Sequence, residues 1–316
     1  GLAGRHTAIV AENSYQWLVA FYAVMISGGL AVCVDIEQAD TAILDMVERA
    51  DSEVLIASPT FVPICTPLSM LGRILIDGPV QEAGWQSLAA LCSDFQGQVP
   101  PADIAAAPDQ TAVIVYTSGT TNTAKAVMLG QRALLKNAGD SSAMVLADNE
   151  VFTALPFYHT YGLTCGILGN MGRGAHLTVN GNLRTLLRDL KLSGAKVTTT
   201  VPLVVETLYK YMWLSIDKAG KKEEAKAILK RNRMLDHLNL SWHKQALVDL
   251  KQEYLGKLEM IVCGGARLDP ELAENLRMFG VLVLEGYGIT EYAPLVAVNR
   301  NQTYQMGTVG HIVPDC

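Results

Sequence analysis

Seven residues within one short stretch have the chemistry to hold a phosphate. Thr117-Ser118-Gly119-Thr120-Thr121-Asn122 and, three residues on, Lys125 follow the apolar run Val113-Ile114-Val115-Tyr116. Hydroxyls and closely spaced backbone N–H groups in such a turn can wrap anionic oxygens, and the lysine adds a mobile positive charge. The stretch is not a Walker A loop, because Ala124 stands at the second glycine and Ala126 where Ser or Thr would hold magnesium. By composition alone, a Thr/Ser-rich surface loop is the plainer reading. Three further groups carry chemistry. Gly264-Gly265-Ala266 would let a flat ligand approach the backbone, since two glycines have no β-carbon in the way. Tyr287, between Gly286 and Gly288, presents an aromatic face, and Thr290-Glu291 adds a hydroxyl and a carboxylate. His159 follows an apolar segment. Taken singly, the first is more often just a tight turn, the second could be a turn with a packed tyrosine, and a lone histidine is usually a satisfied core residue.

The elements that must position these residues alternate β with α. Residues 7–10 form a strand, and Asn13 or Ser14 caps a helix over 15–26 that Gly28-Gly29 terminates. A strand at 31–34 follows, then a helix capped by Asp40 and strands at 53–57 and 73–77. The Pro-, Ala- and Asp-rich segment 99–109 is a linker, which places approximate subdomains at 1–109 and 110–316. Beyond the central strand come a helix over 131–146, a strand at 151–155, a helix over 161–171, a strand at 176–179, a helix over 182–192 and a strand at 196–200. A helix then starts near Pro202. Ten of the 25 Lys and Arg residues fall between Lys218 and Lys257, among periodic apolar residues. That segment is a solvated helical hairpin, with a peripheral membrane-contact patch as the sharper alternative. A strand at 258–263, a helix started by Asp269-Pro270 and a strand at 281–284 complete the pattern. The fold class is therefore α/β, with parallel sheets covered by helices. In an open α/β sheet ligands bind beyond the carboxyl ends of strands, so the polar motifs are expected on one rim.

Composition narrows the function. With half of 316 residues hydrophobic, the chain can bury a substantial core. A formal charge of -6 argues against nucleic acid as a partner, since phosphate contacts call for a basic surface. Six cysteines lack the spacing of a disulfide framework or zinc site, which fits a reducing, cytoplasmic setting. The apolar stretch 17–34 has the length of a membrane span, but Gly28-Gly29 cuts it into a helix and a strand that belong to a core.

In this order the motifs resemble those of the adenylate-forming (AMP-binding) superfamily, most closely the bacterial long-chain fatty-acyl-CoA synthetases. Tyr116 to Thr121, Lys125 and Val127 match the family's phosphate loop, while Asn122, Ala124 and Ala126 replace its Gly, Pro and Gly. Its Leu-Pro-x-x-His-x-x-Gly segment is matched by 155–162, its Gly-Gly-Ala-x-Leu segment by 264–268 and its Gly-Tyr-Gly-x-Thr-Glu segment by 286–291. The resemblance covers nearly the whole chain. It implies the large N-terminal adenylation core, in two packed subdomains, of an AMP-forming acid–thiol ligase that uses ATP, Mg2+ and coenzyme A. A carboxylic acid, a fatty acid first of all, would be activated as acyl-AMP and passed to the thiol of coenzyme A. By the same analogy Thr117, Ser118, Gly119, Thr120, Thr121, Asn122 and Lys125 hold the β- and γ-phosphates, Thr290 contacts the α-phosphate and Glu291 ligates magnesium. Gly264, Gly265, Ala266, Tyr287 and Gly288 form the adenine side of the ATP site, and His159 lies by the reacting carboxylate. The family's Thr-Gly-Asp motif and small C-terminal domain are expected beyond Cys316, so the chain is expected to be an incomplete core, inactive alone. Two alternatives stand beside this: an adenylating module that loads a carrier protein, and a degenerate, non-catalytic nucleotide- or acyl-binding protein.

Overall fold

The structure, a computed structural model, describes residues 2–94, 96–98, 107–117, 124–236 and 245–316. Contacts divide the chain into two compact units, Gly1–Lys136 with Pro156–Leu163, and Asn137–Leu155 with Thr164–Cys316.

The first unit is a seven-stranded sheet. Its elements are β1 (His6–Val10), α1 (Tyr15–Ile26), β2 (Leu30–Cys33), α2 (Asp40–Arg49), β3 (Val54–Ala57), α3 (Val62–Cys65), β4 (Gly72–Leu75), β5 (Trp85–Ser87), α4 (Leu88–Asp94), β6 (Thr111–Thr117) and β7 (Lys125–Gly130). The strand order is β5-β4-β3-β1-β2-β6-β7, parallel except for β7. Strands β1, β2 and β3 are buried along nearly their whole length and consist almost entirely of Ala, Val, Ile and Leu, as strands covered on both faces must. The Ser14 hydroxyl caps α1 by accepting from the Trp17 N–H at 3.0 Å. Within α1, Trp17, Phe21 and Val24 are buried, so the apolar stretch 17–34 is core divided between α1 and β2. Among the described residues no helix is long and apolar enough to cross a membrane.

Two details of this unit differ from the sequence reading. Asp40 lies inside the first turn of α2, and the cap is Ala39, whose carbonyl accepts from Ala42 and Ile43. The Asp40 carboxylate still favours that helix end through the backbone dipole. The approximate boundary at 109/110 is also not where the contacts divide. Strand β6 pairs with β2 in parallel and β7 folds back on β6, so both complete the first sheet. Most of the expected linker, 99–106, lies outside the described residues.

Helix α5 (Gln131–Met144) leads into the second sheet, formed by β8 (Glu150–Thr153), α6 (Gly169–Gly172), β9 (His176–Val179), α7 (Leu186–Ser193), β10 (Val197–Thr200), α8 (Pro202–Lys218), α9 (Lys222–Asp236), α10 (Gln245–Leu255), β11 (Met260–Cys263), α11 (Pro270–Met278), β12 (Leu282–Gly288), β13 (Leu295–Val298) and β14 (His311–Ile312). Its order is β14-β13-β12-β11-β10-β8-β9. The five strands from β9 to β12 are parallel, and β13 and β14 return antiparallel. Helices α8, α9, α10 and α11 pack on the sheet around Val205, Leu208, Met212, Leu247, Leu276 and Phe279, which is the main core of this unit. The expected charged hairpin is thus the pair α9 and α10, seated on α8 by one apolar stripe each. The helix expected over 161–171 is a π-helix, Tyr161–Leu168, followed by α6. Asn170 donates to the carbonyls of Cys165 (2.9 Å) and Gly166 (3.0 Å), which ties α6 back to the π-helix.

Candidate functional site

In the first unit, Thr117 and Lys125 are register partners across β6 and β7, so the phosphate-type turn is the connection of an antiparallel hairpin. Ser118, Gly119, Thr120, Thr121 and Asn122 lie outside the described residues. Both flanks of the turn are anchored. The buried Tyr116 hydroxyl donates to the Met46 carbonyl, and burial pushes its pKa up to about 12. The Arg49 guanidinium donates to the Ala124 carbonyl at 2.9 Å. The Lys125 side chain is exposed and has no hydrogen bond or ion pair with another described residue. Ala126 keeps a negative φ within β7, as a residue with a β-carbon should.

His159 also belongs to this unit. Its segment is held by the Phe157 N–H, which donates to Asn13 Oδ1 at 3.0 Å, and by the buried Phe157 ring, 5.4 Å from that of Trp17. Tyr158 is buried, and its hydroxyl pKa is raised by desolvation and by the carboxylates of Glu37 and Asp35. His159 itself is exposed, with its ring 4.8 Å from the Tyr158 ring. It is therefore a presented side chain and not a core histidine.

In the second unit the two glycine-containing motifs are neighbours. Strands β11 and β12 are parallel with Cys263 opposite Glu285, so Gly264-Gly265-Ala266 and Gly286-Tyr287-Gly288 emerge side by side at the same sheet edge. The Gly264 N–H bonds the Thr200 carbonyl at 3.1 Å, and Gly265 takes φ +87, a conformation that glycine adopts without strain. The Cys263 thiol beneath them is pushed up to about 12 by burial. Tyr287 is 50% exposed, so it is not a packed core tyrosine. Strand β12 is longer than the expected 281–284: it runs on to Gly288 and pairs with β13 through a register shift at Tyr287/Gly288. Gly288 is required there because a β-carbon would meet the Pro294 carbonyl oxygen at 2.5 Å.

Thr290 and Glu291 sit in a single 3-10 turn, Thr290–Tyr292, closed by the Ala293 N–H to the Thr290 carbonyl at 3.0 Å. The Glu291 carboxylate is exposed and makes no hydrogen bond or ion pair with another described residue. Among the described residues no group of three or more His, Cys, Asp and Glu side chains could enclose a metal ion. A lone, exposed carboxylate suits magnesium, which binds proteins through one or two carboxylates and takes its other oxygens from water and substrate phosphates. Residues 264–266, 287, 288, 290 and 291 are thus gathered around the ends of β11 and β12, while Thr117, Lys125 and His159 belong to the first unit.

The sequence reading missed three polar residues that shape this edge. Buried Glu285 accepts the Gly307 N–H at 2.9 Å. Buried Asn299 donates to the Thr308 carbonyl at 2.6 Å and accepts from the Gln305 N–H at 2.9 Å, which fixes the loop before β14. Asn137 is buried in α5 between Leu134 and Ala138 and bonds the backbone of Tyr292 and Leu295. One signal was available for Asn137: an amide on the otherwise apolar stripe of an amphipathic helix needs partners, because burying it unpaired is costly.

The sequence model described as "AMP-binding enzyme" matches residues 2–316. The chain is 32% identical over 216 residues to a long-chain-fatty-acid–CoA ligase of Escherichia coli O157:H7, covering 66% of this chain and 32% of that protein. It is 25% identical over 380 residues to the chloroplastic long-chain-fatty-acid–[acyl-carrier-protein] ligase AEE15 of Arabidopsis thaliana, covering 98% of this chain and 51% of that protein. In fold it is similar to the anthranilate CoA ligase AuaEII, solved with anthranoyl-AMP, at a TM-score of 0.78 and 15% identity over 99% of this chain and 56% of that one. The chain therefore spans between about a third and about a half of the length of these curated relatives.

Proposed function

The chain belongs to the family of AMP-binding enzymes, and on that premise we propose that the protein carrying it activates a carboxylic acid with ATP and transfers the acyl group to coenzyme A. The acid is proposed to be a long-chain fatty acid. The acid's carboxylate oxygen attacks the α-phosphorus and pyrophosphate leaves. The thiol sulfur then attacks the acyl carbonyl, AMP leaves, and the thioester forms. The observation that carries this reading is the side-by-side placement of Gly264-Gly265-Ala266 and Gly286-Tyr287-Gly288 at the ends of adjacent parallel strands, followed at once by Thr290 and a Glu291 carboxylate with no partner among the described residues.

The residues divide the work as follows. Gly264, Gly265 and Ala266 leave the backbone accessible to the adenine, and Tyr287 and Gly288 supply its aromatic neighbour and the space beside it. Thr290 orients the α-phosphate. Thr117, Ser118, Gly119, Thr120, Thr121, Asn122 and Lys125 hold the β- and γ-phosphates, with Lys125 offsetting the charge that builds on pyrophosphate. Magnesium, with Glu291 as its protein ligand, would supply Lewis-acid stabilisation of that leaving group. His159, presented by its anchored segment, is proposed to border the reacting carboxylate. We place the protein in a reducing, cytoplasmic compartment, because its six cysteines lack the spacing of a disulfide framework or zinc site.

The test is acid-dependent exchange of pyrophosphate into ATP by the full-length protein across a panel of carboxylic acids. Exchange with fatty acids, followed by acyl-CoA formation, is the expected result. A second reading, in which the acyl group is loaded onto a carrier protein, is favoured by the similarity to the carrier-protein ligase. Exchange followed only by carrier loading would establish it. No exchange with any acid would overturn both and leave a binding protein.

A further inference from the structure

The Asn137 amide acts as if it were one residue of a neighbouring strand. Its Oδ1 accepts the Leu295 N–H at 3.0 Å, and its Nδ2 donates to the Leu295 carbonyl at 2.9 Å and to the Tyr292 carbonyl at 3.1 Å. All three bonds fall on residues 292–295, the backbone that leaves the Thr290–Tyr292 turn. Between them lies Ala293 at φ +70, a left-handed conformation disfavoured for a residue with a β-carbon. Such a conformation persists where its surroundings over-determine it, and here one side chain grips the backbone on both sides. The Glu291 side chain, by contrast, has no partner among the described residues. Among the described residues its place is set by its own backbone, which Asn137 clamps at residues 292 and 295.

We infer that Asn137 is a positioning residue for the magnesium–nucleotide site: it fixes residues 292–295 and through them the place of the Glu291 carboxylate. The inference rests on the reading of Glu291 proposed above. It concerns geometry alone, since the amide is 3% exposed and sits behind the turn. Substitution should therefore act on the metal-dependent part of nucleotide binding and leave the metal-independent part nearly unchanged. A residue that merely stabilised the fold would lower the melting temperature without this selectivity.

The experiment measures ATP affinity by calorimetry, with and without Mg2+, for the full-length protein and its Asn137→Ala, Asn137→Asp, Glu291→Gln and Asn137→Ala/Glu291→Gln variants, alongside thermal unfolding. The wild type should bind ATP more tightly with magnesium than without. Glu291→Gln should lose that gain, and Asn137→Ala should lose about ten-fold of it, with the double variant no worse than Glu291→Gln, as expected for two residues acting as a unit. Asn137→Asp keeps the shape but cannot donate to two carbonyls, so it should match the alanine variant. If the alanine protein does not fold, Asn137→Ser, which retains one hydroxyl bond, is judged by the same criterion. A variant that keeps the full magnesium gain while its melting temperature falls would overturn this inference alone. A wild type that binds no ATP, with or without magnesium, would overturn the proposed function and this inference with it.

Discussion

Gly288→Ala isolates the close approach at the end of β12. An added β-carbon would lie 2.5 Å from the Pro294 carbonyl oxygen and 3.0 Å from its carbonyl carbon, and both are backbone atoms with no rotamer to escape into. Reaching even 3.0 Å from the oxygen needs a shift of about 0.5 Å (3.0 minus 2.5). That same oxygen accepts the Ile289 N–H at 2.9 Å, so the shift also strains the bond that joins the two chain segments flanking the Thr290–Tyr292 turn. Overpacking costs roughly 1–3 kcal/mol, and a weakened backbone hydrogen bond about 1 kcal/mol more. A loss of roughly 2–4 kcal/mol should lower the melting temperature by roughly 3–6 °C for a cooperative unit of this chain's 316 residues, at an unfolding entropy of about 2.1 cal/mol/K per residue. The displaced backbone carries Thr290 and Glu291, and misplacement of about 1 Å can cost on the order of 100-fold in rate, so a half-ångström shift should cost about ten-fold in pyrophosphate exchange. Differential scanning calorimetry and the exchange assay on the full-length protein give both numbers. An alanine variant with wild-type melting and exchange would refute the steric argument. Lowered melting with wild-type exchange would refute the link between this turn and the site.

Three further outcomes are expected. Glu291→Gln should leave the melting temperature within about 1 °C, because an exposed side chain with no partner among the described residues contributes little to stability, while exchange falls on the order of 100-fold; equal losses in both would mark a structural carboxylate. Lys251 is buried and donates to the Leu258 carbonyl at 2.7 Å, and desolvation lowers its pKa below the usual lysine value. The unfolded chain then binds more protons than the native one between that lowered pKa and the ordinary one, so Lys251 makes stability rise with pH across this window. Urea unfolding of Lys251→Met at neutral and alkaline pH should show that rise diminished, and an unchanged profile would refute it. Finally, the 316-residue chain spans only about a third to a half of the length of its relatives, and removal of even one group positioned at a reacting phosphate costs on the order of 100-fold, so the chain by itself is expected to form acyl-CoA at under about 1% of the full-length rate. Robust turnover by the purified chain would refute this.

Much of the fold was legible because its signals are local. The apolar runs 7–10, 31–34 and 176–179 are short and β-branched or alternating, and each became a strand with at most a one-residue change of boundary. Ser14 and Asp269 cap their helices with side-chain bonds two or three residues away, and Pro202 opens α8. The glycine motifs were also visible as residue types at strand ends: Gly264-Gly265-Ala266 follows β11 directly, whereas Gly286-Tyr287-Gly288 forms the last three residues of β12.

What the sequence by itself determined is the list of chemically able residues and the order of elements that carry them. Tertiary structure decided which of those residues are presented. His159 and Tyr287 each had a plain packed alternative, and only the exposure of their side chains separates the two. It also decided the direction of β7, β13 and β14, because an apolar run has no sign until a partner strand gives it one. The contact that holds the Glu291 turn is the clearest case. Asn137 and Leu295 are 158 residues apart, and the amide's three bonds depend on helix α5 meeting the backbone of 292–295. No window of sequence contains both, so the need for a partner was readable from a buried asparagine, but its identity was not.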